Sequence, residues 1–252
     1  MSAQFNRVEF DGTLRPAAEG GRIGVVALAT DLTIERDMRR MLPPGVEMFT
    51  SRVRNANPLT PENLRAMRGD IARAAASLLP GRGVDVAIYA CTSGAAVLGA
   101  ETIRREMRRA HPNAPITTPT EAAVAACAAL GVSRISALTP YVPEINRALE
   151  AEFAAAGRAF VNVDSLGFED DMLVADIAPE DIVRFAKQAR NPRAEALFIS
   201  CTAMRAAEVA EEIENAIGIP VITSNQALAW HSLRLLGHKE KITEFGALMR
   251  TI

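Results

Sequence analysis

The sequence is poor in the residues that most often announce a chemistry: 252 residues include three cysteines, three histidines, two tyrosines and one tryptophan. No two cysteines are spaced as a CxxC pair and three make no disulfide framework, so a reducing compartment is the simpler reading and a cytoplasmic location is expected. The scattered histidines lack ligand spacing, which argues against a metal site. His111 and His238 are expected at the surface near helix ends, and His231, beside Trp230, as a packed or hydrogen-bonded residue. A formal net charge of -2 leaves no basic footprint, which argues against nucleic acid and anionic membrane as partners. No apolar run approaches membrane-spanning length, and Glu9, Asp11 and Arg15 occupy a start that has no signal-like apolar core. Gly20, Gly21 and Gly24 precede the first predicted strand, whereas a dinucleotide fingerprint follows it. Nothing resembles a P-loop.

What the sequence does have is a core's worth of apolar residues, 49%, and a repeated corner. Ala90-Cys91-Thr92-Ser93-Gly94 recurs as Ser200-Cys201-Thr202-Ala203, each after an apolar run rich in β-formers (Val84 to Tyr89, Ala196 to Ile199) and before a helix-like stretch. Each cysteine is therefore predicted at a strand-to-helix corner. Unpaired N–H groups and the positive helix end there are expected to lower a thiol's pKa and to favour bound carboxylates.

The repeat extends well past the cysteines. Pro115-Ile116-Thr117-Thr118 matches Pro220-Val221-Ile222-Thr223 downstream, and Val26 to Asp31 stands as far before Cys91 as Ala137 to Tyr141 stands before Cys201. Thr60-Pro61-Glu62 and Ala178-Pro179-Glu180 both read as helix starts. The periodicity predicts strands at 23–29, 46–53, 84–90 and 115–118 with helices at 33–42, 61–78, 95–110 and 120–130. The second half follows suit, with strands at 134–139, 160–166, 195–200 and 220–223 and helices at 143–156, 179–189, 203–217 and 225–236. Strands alternating with helices imply right-handed crossovers and a parallel sheet in each half. The predicted fold class is α/β, two pseudo-twofold-related lobes, each a short mainly parallel sheet flanked by helices, with the active site in the cleft between them. Residues 1–21 are expected to form an N-terminal extension, 22–131 with a C-terminal helical segment of about 225–252 the first lobe, and 132–224 the second. The extension, lying on the surface or on a partner subunit, leaves room for a homo-oligomer. Ligands in such sheets lie beyond the carboxyl ends of the strands, where Asp31, Cys91, Tyr141 and Cys201 fall.

With Leu138-Thr139-Pro140-Tyr141 and Ser224-Asn225-Gln226-Ala227-Leu228-Ala229-Trp230-His231, the paired Cys-Thr corners resemble the aspartate/glutamate racemase superfamily, within it the branch of maleate cis-trans isomerases and arylmalonate decarboxylases. The resemblance covers nearly all of the chain after residue 22. It implies an isomerase that needs neither metal nor organic cofactor and acts on a small carboxylate. Cys91 and Cys201 would be the acid/base or nucleophile pair, and Thr92, Ser93 and Tyr141, with Thr202, the groups that hold the substrate carboxylate and a developing enediolate. In a racemase one thiolate removes the proton next to the carboxylate and the opposite thiol returns one on the other face. In a cis-trans isomerase one thiolate adds to the alkene, the bond rotates, and elimination follows.

The chain departs from maleate isomerases in two places. Leu28-Ala29-Thr30-Asp31 replaces their Pro-Ser-Ser-Asn, and Glu169-Asp170-Asp171 stands where they carry an asparagine. An anionic Asp31 would repel a second carboxylate and accept hydrogen bonds from an ammonium or hydroxyl group. Both features look more like the ectoine and hydroxyectoine utilisation members of the branch, whose substrates are amino acids or cyclic amidines. Asp31 near one thiol and Tyr141 near the other would give the two faces different roles. Two rivals stand beside this reading: an arylmalonate-type decarboxylase, which keeps one of the two cysteines, and a non-catalytic small-molecule-binding protein of two-lobed form. Cys127, mid-helix among alanines, reads as a packed core residue.

Overall fold

The two apolar runs that end in Cys-Thr are central strands, and each is flanked as the repeat requires. In the computed structural model, residues 3–239 and 241–252 are described. The first half runs β1 (Gly21–Leu28), α1 (Ile34–Met41), β2 (Val46–Val53), α2 (Pro61–Ala66), α3 (Arg68–Ala76), β3 (Val86–Ala90), α4 (Thr92–Leu98), α5 (Ala100–Arg108), β4 (Ile116–Thr117) and α6 (Pro119–Ala129). The second half runs β5 (Arg134–Thr139), α7 (Pro143–Ala155), β6 (Ala159–Ser165), α8 (Asp171–Ala175), α9 (Pro179–Ala189), β7 (Ala196–Ile199), α10 (Ala210–Ile217), β8 (Val221–Thr223) and α11 (Ser224–Leu235).

Each half makes one four-stranded sheet, ordered β2-β1-β3-β4 and β6-β5-β7-β8, and every pairing is parallel. The same order in both sheets is the structural form of the sequence repeat. Strands β3 and β7 lie between β1 and β4 and between β5 and β8, buried along their whole length, which explains their unbroken apolar sequences. Their carboxyl ends carry Cys91 and Cys201.

Helix caps follow the sequence closely. Thr60 accepts from the Asn63 N–H ahead of Pro61, and Thr118 and Thr223 cap α6 and α11 in the same way, with Gln226 completing a capping box. Gly131, at φ +69°, follows the end of α6. Helix α11 leaves β8 and packs on α1, α6 and β3 of the first half, so the two sheets share this helix as a common wall.

Several predicted boundaries are corrected. The helix expected at 61–78 breaks at Met67, and that at 95–110 breaks at Gly99, whose φ of +78° no helix can hold. The helix expected from 203 begins as α10 only at Ala210, after bends and a 3-10 turn at Ala207–Val209. Among the described residues, the C-terminal segment of about 225–252 is helical only through Leu235, apart from a 3-10 turn at Met249–Thr251. That tail is fastened where the Trp230 indole donates to Thr251 and the Gln226 amide to the Phe245 carbonyl. His111 is buried, its Nε2 2.8 Å from the Ala75 carbonyl, and not a surface residue.

Candidate active site

The two corners meet through a residue that belongs to neither. Ser224, the first residue of α11, accepts the Thr92 hydroxyl at 2.9 Å and the Cys201 backbone N–H at 3.0 Å. Thr202 in turn donates to the Ala90 carbonyl at 3.4 Å, so each Cys-Thr corner is tied to the other. A second tier holds these ties in place. Asn225 donates to the Thr202 carbonyl and to buried Asp37, both at 2.9 Å, and Thr33 donates to the Ala203 carbonyl at 2.8 Å.

The corners differ in backbone although they match in sequence. Cys91 caps α4: its sulfur accepts the Gly94 N–H at 3.2 Å and lies 3.4 Å from the Ser93 hydroxyl. Cys201 has no helix behind it and sits at φ +116°, in the region that favours glycine. Strain at such a point is typical of positions that the surrounding structure holds for a purpose.

All the residues that the sequence singles out are buried here. Cys91, Thr92, Ser93, Tyr141, Cys201, Thr202 and Asp31 are each no more than 6% exposed. The Tyr141 hydroxyl accepts from Ser200 at 3.2 Å, which leaves its own proton free to donate. Burial, and then the Cys201 sulfur, raise this phenol well above its ordinary range. The Asp31 charge raises both thiols.

Asp31 has two roles at once. Its Oδ1 accepts the N–H groups of Thr33 and Ile34 at 2.8 and 2.9 Å and so starts α1, while its Oδ2 is buried with no partner. Asp171, from the start of α8, accepts the Thr30 hydroxyl at 3.2 Å. Burial, and then the charge on Asp31, push its carboxyl up to about 7. Burial also raises Asp31 above the usual carboxylate range. The Arg52 guanidinium stays outside, giving its protons to the Leu28 and Asp31 carbonyls and to Glu35.

Electrostatics reverse one expectation. Burial, and then the Asp171 charge, push the Cys91 thiol up to about 12, against the lowering effects of Ser93 and the Gly94 N–H. Burial, and then the Asp171 charge, raise the Cys201 thiol as well. The helix end does favour the Cys91 thiolate, but dehydration and two buried carboxyls outweigh it. Cys127 lies inside α6, away from these groups, and burial raises it to about 12 as well.

Sequence reasoning missed Ser224 and Asp171 as members of this cluster. Ser224 was visible only as a repeat landmark, and Asp171 only as one of three consecutive acids. Of the other two acids, Asp170 caps α8 and accepts from Asn57, while the Glu169 carbonyl accepts from the Leu59 N–H. A groove of about 500 Å³ runs along the outer side of Asp31, lined by Leu32, Glu35 and Arg52 among others. A larger concavity of about 750 Å³ lies at the opposite, amino-terminal end of the strands, against residues 14–19, and has no thiol near it.

The sequence model of a family described as arylmalonate decarboxylase matches residues 40–249. A maleate isomerase of Nocardia farcinica is 26% identical over 240 residues, covering 91% of this chain and 95% of that protein. An arylmalonate decarboxylase of Bordetella bronchiseptica is 28% identical over 125 residues, or 49% of this chain and 52% of its own. Among solved structures, a Nocardia farcinica maleate cis-trans isomerase variant with a covalently bound succinylcysteine intermediate superposes with a TM-score of 0.83 at 24% identity, over 92% of this chain and 98% of that one. Pseudomonas putida S16 maleate isomerase with maleate gives 0.82 at 24% identity, over 91% and 97%. The two four-stranded parallel sheets are thus the fold of these structures, and this chain belongs to the arylmalonate decarboxylase family, which takes in the maleate isomerases.

Proposed function

We propose that the chain is a cofactor-independent isomerase in which Cys91 and Cys201 act from opposite faces on a small carboxylate that also carries an ammonium, amidine or hydroxyl group. Amino acids and ectoine-derived acids have that chemistry. The observation that carries the reading is the junction itself: two matched cysteine corners, tied through Ser224, enclose the Tyr141 hydroxyl and the two carboxyls Asp31 and Asp171.

The substrate carboxylate takes the Tyr141 and Ser93 hydroxyl protons and the N–H groups at the start of α4, with Thr92 and Thr202 setting the walls. Thr92 is engaged with Ser224, so its contribution is that wall and its own backbone N–H. A cationic substituent next to Asp31 Oδ2 and Asp171 neutralises the charges that hold the thiols protonated, and one thiol enters the cycle as a thiolate. It removes the proton next to the carboxylate, and the enediolate charge falls on the Tyr141 and Ser93 donors. The opposite thiol then gives its proton to the other face. Inversion is complete, and the thiolate has passed from one cysteine to the other.

Cis-trans isomerisation of maleate is the second reading, favoured by relatives of that name over most of the chain. It asks a second carboxylate to lie near Asp31 and Asp171, which repel it. Proton NMR in deuterated water, scanning amino acids, hydroxy acids, ectoine-derived acids and maleate, separates the readings. Deuterium entering next to a carboxylate, with inversion, supports the racemase. Maleate turning to fumarate supports the second reading and refutes the charge argument. A scan in which no compound exchanges or isomerises overturns both and leaves a decarboxylase or a binding protein.

A further inference from the structure

One buried polar group at the site has no part in this scheme. Tyr89 is the fourth residue of β3, fully buried, and its hydroxyl closes no hydrogen bond of ordinary geometry. A dry, unpaired hydroxyl is costly, and its persistence calls for a reason. Its surroundings supply one. A Cβ at position 94 would stand 2.5 Å from the Tyr89 hydroxyl and 3.1 Å from the Cys91 sulfur, so both atoms use the room that Gly94 leaves. Gly94 lies inside α4 with ordinary helical backbone, so space and not conformation requires the missing side chain.

We propose that Tyr89 is a positioning residue for the Cys91 thiolate, its hydroxyl closing a second hydrogen bond to Sγ, beside the Gly94 N–H, when that sulfur ionises. The inference rests on Cys91 being a working thiol, as proposed above. A neutral thiol is a weak acceptor and leaves the phenol loosely held, whereas a thiolate draws it in. Burial, and then the Cys91 sulfur, keep the phenol well above its ordinary range, so it has a proton to donate. The repeat shows the asymmetry this creates. Two residues before Cys201 stands Ile199, whose side chain has no donor. Cys91 is therefore the thiol that ionises first.

The test is the rate of iodoacetamide modification at each cysteine of the full chain at one fixed pH, read by peptide mass spectrometry. Below its pKa a thiol reacts in proportion to its thiolate fraction. In the wild type Cys91 is expected to react faster than Cys201. Tyr89→Phe should slow Cys91 by about tenfold or more, roughly one pKa unit, because a hydrogen bond to a charge is lost. Cys201 in the same sample should react as before, which controls for opening of the site. The melting temperature should hold or rise, since only an unpaired hydroxyl is removed. A folded Tyr89→Phe protein whose Cys91 reacts at the wild-type rate overturns the proposal. Gly94→Ala gives a second route: it should destabilise the chain, and Tyr89→Phe added to it should restore part of that loss by vacating the contact. No restoration would also count against it. Cys91→Ala retaining full isomerase activity would instead remove the function on which the inference stands.

Discussion

Replacing Asp171 by asparagine should stabilise the protein at alkaline pH and leave it nearly unchanged at acid pH. The carboxyl is buried and pushed from 3.8 to about 7, first by burial and second by Asp31. Its folded pKa is raised, so between those values the folded chain binds the proton more tightly than the unfolded one. Stability is then lost as pH rises through the window, and the full cost is present above about 7. At about 1.4 kcal/mol per unit, the shift of roughly three units corresponds to about 4 kcal/mol above the window, of which some 3 kcal/mol develops between pH 5 and 8. His231 works the other way. Burial lowers it, so it subtracts stability as pH falls below its unfolded value. Subtracting the Asp171→Asn curve from the wild-type curve cancels that contribution. Urea unfolding at pH 5, 6, 7 and 8 should show the difference between variant and wild type growing by a few kcal/mol. A difference that stays flat across this range would mean that Asp171 is neither dry nor coupled to Asp31, and the acidic pocket would lose its basis.

Other consequences follow from the same geometry. Ser224→Ala removes the acceptor of the Thr92 hydroxyl and of the Cys201 N–H. It should cost about 2 to 4 kcal/mol in denaturant unfolding, since two buried donors lose their partner, and should lower isomerase turnover more than tenfold. A loss under about 1 kcal/mol would show that Ser224 does not join the corners. At Cys201, held at φ +116°, glycine should be tolerated better than alanine. Thermal unfolding should favour Cys201→Gly over Cys201→Ala by about 1 kcal/mol, and the reverse order would show that the backbone there is not strained.

Much of this architecture is legible in the sequence because it is written twice. Strands β2 and β5 fall at the predicted residues, and the identical order of the two sheets follows from the Cys-Thr corners, the Pro-Glu helix starts and the Pro115 to Thr118 and Pro220 to Thr223 stretches that match between the halves. Caps such as Thr60 and Thr223 are local chemistry and can be read locally. The misses are those that local pattern cannot carry. Met67 and Gly99 break helices whose apolar periodicity runs through them, and the 3-10 turn at Ala207–Val209 interrupts a run, Ala206 to Ile217, with strong helix-forming composition. The direction of the thiol pKa shifts was misjudged because a helix end is visible in sequence while burial by the other half is not. Ser224 and Asp171 reach the thiols only through long-range packing, 132 residues separating Thr92 from its partner.

The central claim is that two thiols address two faces of one carbon. With an exchanging substrate in hand, each pure enantiomer should be incubated in deuterated water with wild type, Cys91→Ala and Cys201→Ala, and followed by proton NMR and chiral chromatography. The account predicts that both variants lose interconversion, and that each keeps deuterium exchange with one enantiomer only, the opposite one in each case. Interconversion that survives in either single variant would contradict it.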